Sequence, residues 1–193
     1  MAVSPKKKQK KSPEAEEVFS IISQVPELIK KTIEQDEEPC QALAETIISK
    51  ALDLYCLGYG LNYGSAMEGA LKIKEVYYRH CEGMYSSEFK HGPLSIVEEG
   101  YPILFPASPA EAGMVISHIN EITVRKGFVV VISAYDDGYA RNANSFIITP
   151  NCHHYLTPFA NVVCMQLIAY YASLCSGLDP DFPRNISKTL TVD

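Results

Sequence analysis

Five short apolar runs, most of them separated by segments of helical periodicity, restrict the fold of this chain more than any other feature. Leu52–Gly58, Pro102–Ala107 and Phe128–Ser133 are nearly continuous in apolar residues, Cys81–Ser86 is less so, and Ser145–Thr149 has the length of an edge strand. Runs of this kind are what strands buried on both faces look like. Helical segments fall at 63–80, about 87–91, 109–126 and 158–176, the last with Thr157 as its expected N-cap and Pro158 in its first turn. Strands alternating with helices predict right-handed crossovers and an α/β fold with a five-stranded parallel sheet covered by helices on both faces.

Ahead of the sheet, Val18, Ile21, Ile22, Val25, Leu28, Ile29 and Ile33 recur at helical spacing, with Pro26 expected to open a second helix. Asp36-Glu37-Glu38-Pro39 should break that helix, and Leu43, Ala44, Ile47 and Ile48 should form a further one over about 40–50. The expected organisation is a disordered basic leader at 1–16, N-terminal helices at 17–50, the α/β domain at 51–178 and a polar tail at 179–193.

A net charge of -6 argues against a nucleic-acid partner, because phosphate backbones select basic faces. The basic run containing Lys6, Lys7, Lys8, Lys10 and Lys11 sits among Ser and Pro residues that cannot pack. No apolar stretch of about eighteen residues and no signal-peptide pattern is evident, so the expectation is no membrane and a cytoplasmic location. Cys40, Cys56, Cys81, Cys152, Cys164 and Cys175 lack paired ligand spacing, and no metal or other cofactor is expected.

Glu68, Lys72, Glu75 and Arg79 are spaced four, three and four apart, which puts them in one stripe of a helix starting near Tyr63. Such a stripe is ordinarily a solvated ladder of ion pairs. Here Ala66, Met67, Ala70, Leu71, Ile73 and Tyr77 make the same helix apolar around much of its circumference, so part of the stripe should face a cleft. In a cleft, a carboxylate beside an ammonium can exchange protons near neutral pH. His91, between a one-turn helix and Gly92-Pro93, is fixed at a sharp corner of the kind where such sheets place reactive groups. Gly58 and Gly60 follow the first strand with the wrong spacing for a dinucleotide loop, and should admit a small polar ligand close to the backbone. Lys188, near a Pro183-Arg184-Asn185 turn, lies on a tail short enough to fold over a pocket and bring an amine to a carbonyl carbon.

The segment Glu68–Glu75, the corner Lys90-His91-Gly92-Pro93-Leu94 and the tail Asp179–Val192 together resemble the second sugar isomerase (SIS) domain of the glutamine:fructose-6-phosphate aminotransferase (glucosamine-6-phosphate synthase) family. The resemblance runs from about Val18 to Asp193 and implies a three-layer α-β-α sandwich. It also implies conversion of fructose 6-phosphate and ammonia to glucosamine 6-phosphate. On that resemblance Glu75 takes the place of the base that moves a proton between C1 and C2. His91, supplied by a neighbouring subunit, takes that of the acid/base for ring opening, and Lys188 that of the imine-forming lysine. Glu68 and Lys72 match residues lining the same site, and Arg184 and Asn185 lie on the matching tail as substrate-binding candidates.

Two features depart from a complete synthase. The chain has no glutaminase-sized segment and is not expected to release ammonia from glutamine. The loop Ser108-Pro109-Ala110-Glu111 forms a capping box where phosphate-holding SIS domains place a Ser/Thr-rich loop, and its carboxylate should repel an anion. The expected partners are a sugar phosphate and either a second copy of the chain or a separate SIS or glutaminase protein. A non-catalytic sugar-phosphate-binding module is the alternative, and a piece of a longer synthase is a third reading.

Overall fold

The structure is a computed structural model that describes residues 13–186. Five strands, β1 (Asp53–Gly58), β2 (His80–Tyr85), β3 (Pro102–Pro106), β4 (Phe128–Ser133) and β5 (Ser145–Ile148), form one sheet in the order β2-β1-β3-β4-β5. Every pairing is parallel. Successive side chains of a strand point to opposite faces. Leu54, Cys56, Leu104, Val130 and Ile132 therefore enter one apolar cluster, while Tyr55, Leu57, Ile103, Phe105, Val129 and Val131 enter the other. Both faces are buried, which is why these runs are apolar throughout rather than alternating.

The first face is covered by α2 (Val25–Thr46), α3 (Asn62–Lys72) and α6 (Thr157–Cys175). The second is covered by α4 (Ala112–Thr123), α5 (Asp137–Asn142) and the 3₁₀ turns Ser86–His91 and Pro93–Ile96. A preceding helix, α1 (Pro13–Ile22), begins inside the stretch expected to be leader, and the basic run at 6–11 lies outside the described residues. Helix α5 is not expected from the sequence pattern, and its N-cap Asp136 accepts from the Gly138 and Tyr139 amides.

Three expectations about helices are corrected. The acidic Asp36–Pro39 stretch does not break the second helix: α2 is continuous, with Pro39 inside it. Leu28, Thr32, Asp36, Cys40, Leu43 and Ala44 form an unbroken ladder buried at helical spacing. An interior proline costs about 3 kcal/mol, an amount that burial of two or three apolar side chains can offset at roughly 1.5–3 kcal/mol each. Pro39 itself is exposed, so its ring meets solvent rather than core. Thr157 is the first residue of α6 rather than its cap, and its hydroxyl donates to the His154 carbonyl (3.0 Å). Finally, the segment His154–Cys175 is long and apolar enough to cross a membrane by length and composition, contrary to the sequence expectation. Half of that stretch is buried inside the protein, where Cys164, Met165, Ile168, Ala169 and Ala172 join the core between α2, α3 and the sheet.

Candidate functional site

Helix α3 leaves the carboxyl end of β1 and must return to the amino end of the parallel strand β2. Its charged stripe therefore lies toward the amino-terminal edge of the sheet. Regular α-helix stops at Lys72 and passes into one π turn, Ile73–Tyr77, which Tyr78 ends in the left-handed region (φ 59°). Within that stretch the Lys72 ammonium contacts Glu68 Oε1 at 3.5 Å and makes a short contact to the Glu75 carboxylate. All three side chains are partly exposed. Half-exposed ion pairs contribute at most about 1 kcal/mol to stability, so these pairs add little to folding.

The hydrogen bond to Glu75 raises the pKa of Lys72 above the ordinary lysine value, with the Glu68 and Glu75 charges adding to it against the opposing effect of burial. Lys72 thus stays an ammonium at neutral pH, which corrects the expectation of ready proton exchange between the two. An ammonium in this position can stabilise negative charge, and a proton acceptor in this group has to be a carboxylate. Arg79 is not part of the stripe, because the left-handed Tyr78 turns the chain first and the Arg79 guanidinium sits 5.5 Å from the Tyr77 ring.

Beside Glu75 is an open cavity of about 480 Å³ lined by Lys74, Glu75, Arg79, His80, Arg184 and Asn185, among others. The fold therefore brings three of the sequence-predicted residues to one cavity, Glu75 from the helix stripe and Arg184 and Asn185 from a segment more than a hundred residues away, while Lys72 and Glu68 connect to Glu75 through ion pairs along the helix and are not among the lining residues. Lys188 lies outside the described residues.

His91, Gly58 and Gly60 are not brought to this cavity. His91 is exposed at the end of the 3₁₀ turn that follows β2. The six-residue strand separates it from Glu75, and at about 3.3 Å per residue that is on the order of 17 Å. Gly58 and Gly60 sit at that same carboxyl end, and neither offers open backbone. A β-carbon at Gly58 would lie 2.4 Å from the Asn62 carbonyl oxygen, because α3 starts hard against the strand. Gly60 (φ 53°) faces the Glu111 carboxylate, whose Oε1 would be 2.5 Å from any β-carbon there. The expected approach of a small ligand is thus filled by the protein itself.

That filling is the feature sequence reasoning saw least completely. The gap between β1 and β3, where chain order reverses, is the usual ligand position in such sheets. Here the buried Glu111 carboxylate occupies it, with Oε2 accepting from the Ser108 amide (3.0 Å) and Asn62 Nδ2 (2.9 Å). Asn161 Nδ2 donates to Asn62 Oδ1 (2.7 Å) and to the Ala107 carbonyl (2.8 Å), and Tyr139 donates to the Ser108 carbonyl (2.8 Å). The capping box was visible in sequence. Asn62 and Asn161 carried no signal, being 49 residues before and 50 after Glu111. His118, also unremarked in sequence, is buried with Nδ1 3.0 Å from Ser86 Oγ, and burial lowers its pKa, so it stays neutral.

A family model described as SIS domain matches residues 47–176. The glutamine–fructose-6-phosphate aminotransferase (isomerizing) of Aquifex aeolicus is 36% identical over 95% of this chain, which covers 31% of that protein. The enzyme of the same name from Methanothermobacter thermautotrophicus is 35% identical over 93% of the chain and 30% of its own length. The chain thus spans about a third of these curated relatives. In fold it superimposes on the C-terminal domain of glucosamine-fructose-6-phosphate aminotransferase from Francisella tularensis with a TM-score of 0.78, at 24% identity, over 88% of this chain and 48% of that one.

Proposed function

Since the chain belongs to the SIS domain family, we propose that it binds a sugar phosphate and provides half of a site that isomerises and aminates fructose 6-phosphate. The observation that carries this reading is Glu75, ion-paired to Lys72, on the wall of a cavity shared with Arg184 and Asn185. In this reading the neutral Lys188 amine attacks C2 of the open-chain sugar and loses water to form an imine. Ammonia displaces the lysine, and Glu75 takes a proton from C1 and returns one to C2. Lys72, held as an ammonium, stabilises negative charge developing on the neighbouring oxygen. Ring opening falls to His91 of a second copy, because the two residues lie at opposite ends of one chain's sheet. The Glu111-filled gap favours a phosphate held elsewhere, on a partner SIS domain, and ammonia supplied by another protein or domain. A cytoplasmic setting fits the reduced cysteines, four of which are buried.

The separation of Glu75 from His91 also favours a second reading, in which a lone chain binds sugar phosphate without turning it over. One assay divides the two: fructose 6-phosphate with ammonium, read as glucosamine 6-phosphate, with borohydride trapping at Lys188. Glu75→Gln should abolish C1/C2 proton exchange yet retain sugar binding, since it keeps the shape and removes the base. Lys188→Arg should trap nothing, because a guanidinium offers no neutral amine. Full activity in both variants would refute the catalytic reading.

A further inference from the structure

We propose that Tyr78 is a positioning residue that moors the C-terminal tail beside Glu75. Its catalytic consequence rests on the isomerase reading above, whereas the mooring itself does not. Tyr78 closes the π turn in a left-handed conformation (φ 59°, ψ 29°), where helices usually end in glycine and where a residue with a β-carbon is disfavoured. Strained positions of this kind persist only when surrounding contacts over-determine them. Two such contacts come from one residue of the tail. The Arg184 amide donates to Tyr78 Oη at 2.8 Å, and the Arg184 guanidinium lies 4.1 Å from the centroid of the Tyr78 ring.

Because one bond is made by backbone and the other by side chain, they fix both the position and the direction of the chain at Arg184. Among the described residues, the other hydrogen bond of segment 179–186, from the Asp181 amide to Asp179, is internal to that segment. The stacked pair also forms a wall shared by two cavities, the one of about 480 Å³ that contains Glu75 and one of about 200 Å³ against Ser176 and Leu178. Glu75 stands three residues before Tyr78 in the same π turn. The residue that ends the turn carrying the proposed base therefore also holds the root of the tail, four residues before Lys188 in the sequence.

Trypsin, which cleaves after arginine, tests the mooring directly on the intact chain. Tyr78→Phe keeps the ring and loses the acceptor, and the Arg184–Asn185 bond should then be cut about fivefold faster. Tyr78→Leu loses both contacts, and cleavage should be about thirtyfold faster. The thermal midpoint of Tyr78→Phe should match wild type, which separates mooring from general folding, and borohydride trapping at Lys188 should fall in the same order as protection from trypsin. Equal cleavage of wild type and both variants would overturn the mooring. Faster cleavage with undiminished trapping would overturn its catalytic consequence. No trapping even in wild type would defeat the isomerase reading, and the cleavage rates would still decide whether Tyr78 holds the tail.

Discussion

Two buried carboxylates show what single residues do here. Asp36 lies inside the α2–α6 contact, with Oδ1 3.4 Å from Gln35 Nε2 and Oδ2 3.9 Å from the Cys164 thiol, and burial raises its pKa from 3.8 to about 6 against these weak donors. A pKa raised by folding means that the folded protein holds a proton the unfolded chain releases. The stabilisation from that proton is complete below about pH 4 and is lost as pH rises through about 6, a difference on the order of 3 kcal/mol. Asp36→Asn should therefore raise the thermal midpoint at pH 8 and flatten its change between pH 4 and 6. A variant whose midpoint follows the wild-type pH curve would place the titration elsewhere. Glu111 is buried with Oε1 unpartnered among the described residues, and its Oε2 accepts from the Ser108 amide and Asn62 Nδ2. Glu111→Ala would orphan both at a cost of about 2–4 kcal/mol. Added inorganic phosphate should recover part of the midpoint in that variant and none in wild type. Glu111→Gln should leave sugar-phosphate affinity unchanged.

At the scale of elements, the position of the charged stripe depends on how closely α3 approaches α6. Gly69 sits between Glu68 and Lys72, and a β-carbon there would overlap Met165 Cε at 2.1 Å and also crowd its inner atoms, at 3.0 Å from Cγ and 3.1 Å from Cβ. In a free helix, glycine to alanine gains up to about 1 kcal/mol. Here overpacking, typically 1–3 kcal/mol, should win, since the inner Met165 atoms cannot swing away as the terminal methyl can. Gly69→Ala is expected to lower the thermal midpoint by roughly 2–6 °C and to weaken sugar binding by displacing the stripe. An unchanged midpoint would show that α6 yields freely.

For the molecule as a whole, Glu75 and His91 occupy opposite edges of one sheet, and the proposed isomerase site needs both. Two inactive variants, Glu75→Gln and His91→Ala, should regain activity when mixed if each copy lends its histidine to the other. Random pairing makes half the dimers mixed with one intact site each, so recovery of roughly a quarter of wild-type activity is expected. Mixtures that stay as inactive as either parent would rule out exchange of the histidine between copies. Light scattering supplies the companion measurement, since a monomer with full activity would defeat the same idea.

The sequence by itself determined the order of elements, because strands buried on both faces must be apolar throughout and the crossovers between parallel strands must be long. It also determined the Glu68–Lys72–Glu75 group, since helical spacing alone puts those side chains on one stripe, and the Ser108–Glu111 capping box, which is closed within four residues. Tertiary structure decided what spacing cannot encode. Pro39 stays inside a helix because packing on α6 outweighs a local break. Arg79 leaves the stripe because Tyr78 adopts a left-handed turn that its side chain does not announce. Asn62 and Asn161 meet near Glu111, and Arg184 meets Tyr78, only because the crossovers fold distant segments together. His91 is separated from Glu75 for the same reason: a parallel strand carries the chain from one edge of the sheet to the other, so residues sixteen apart in sequence end at opposite sides of the molecule.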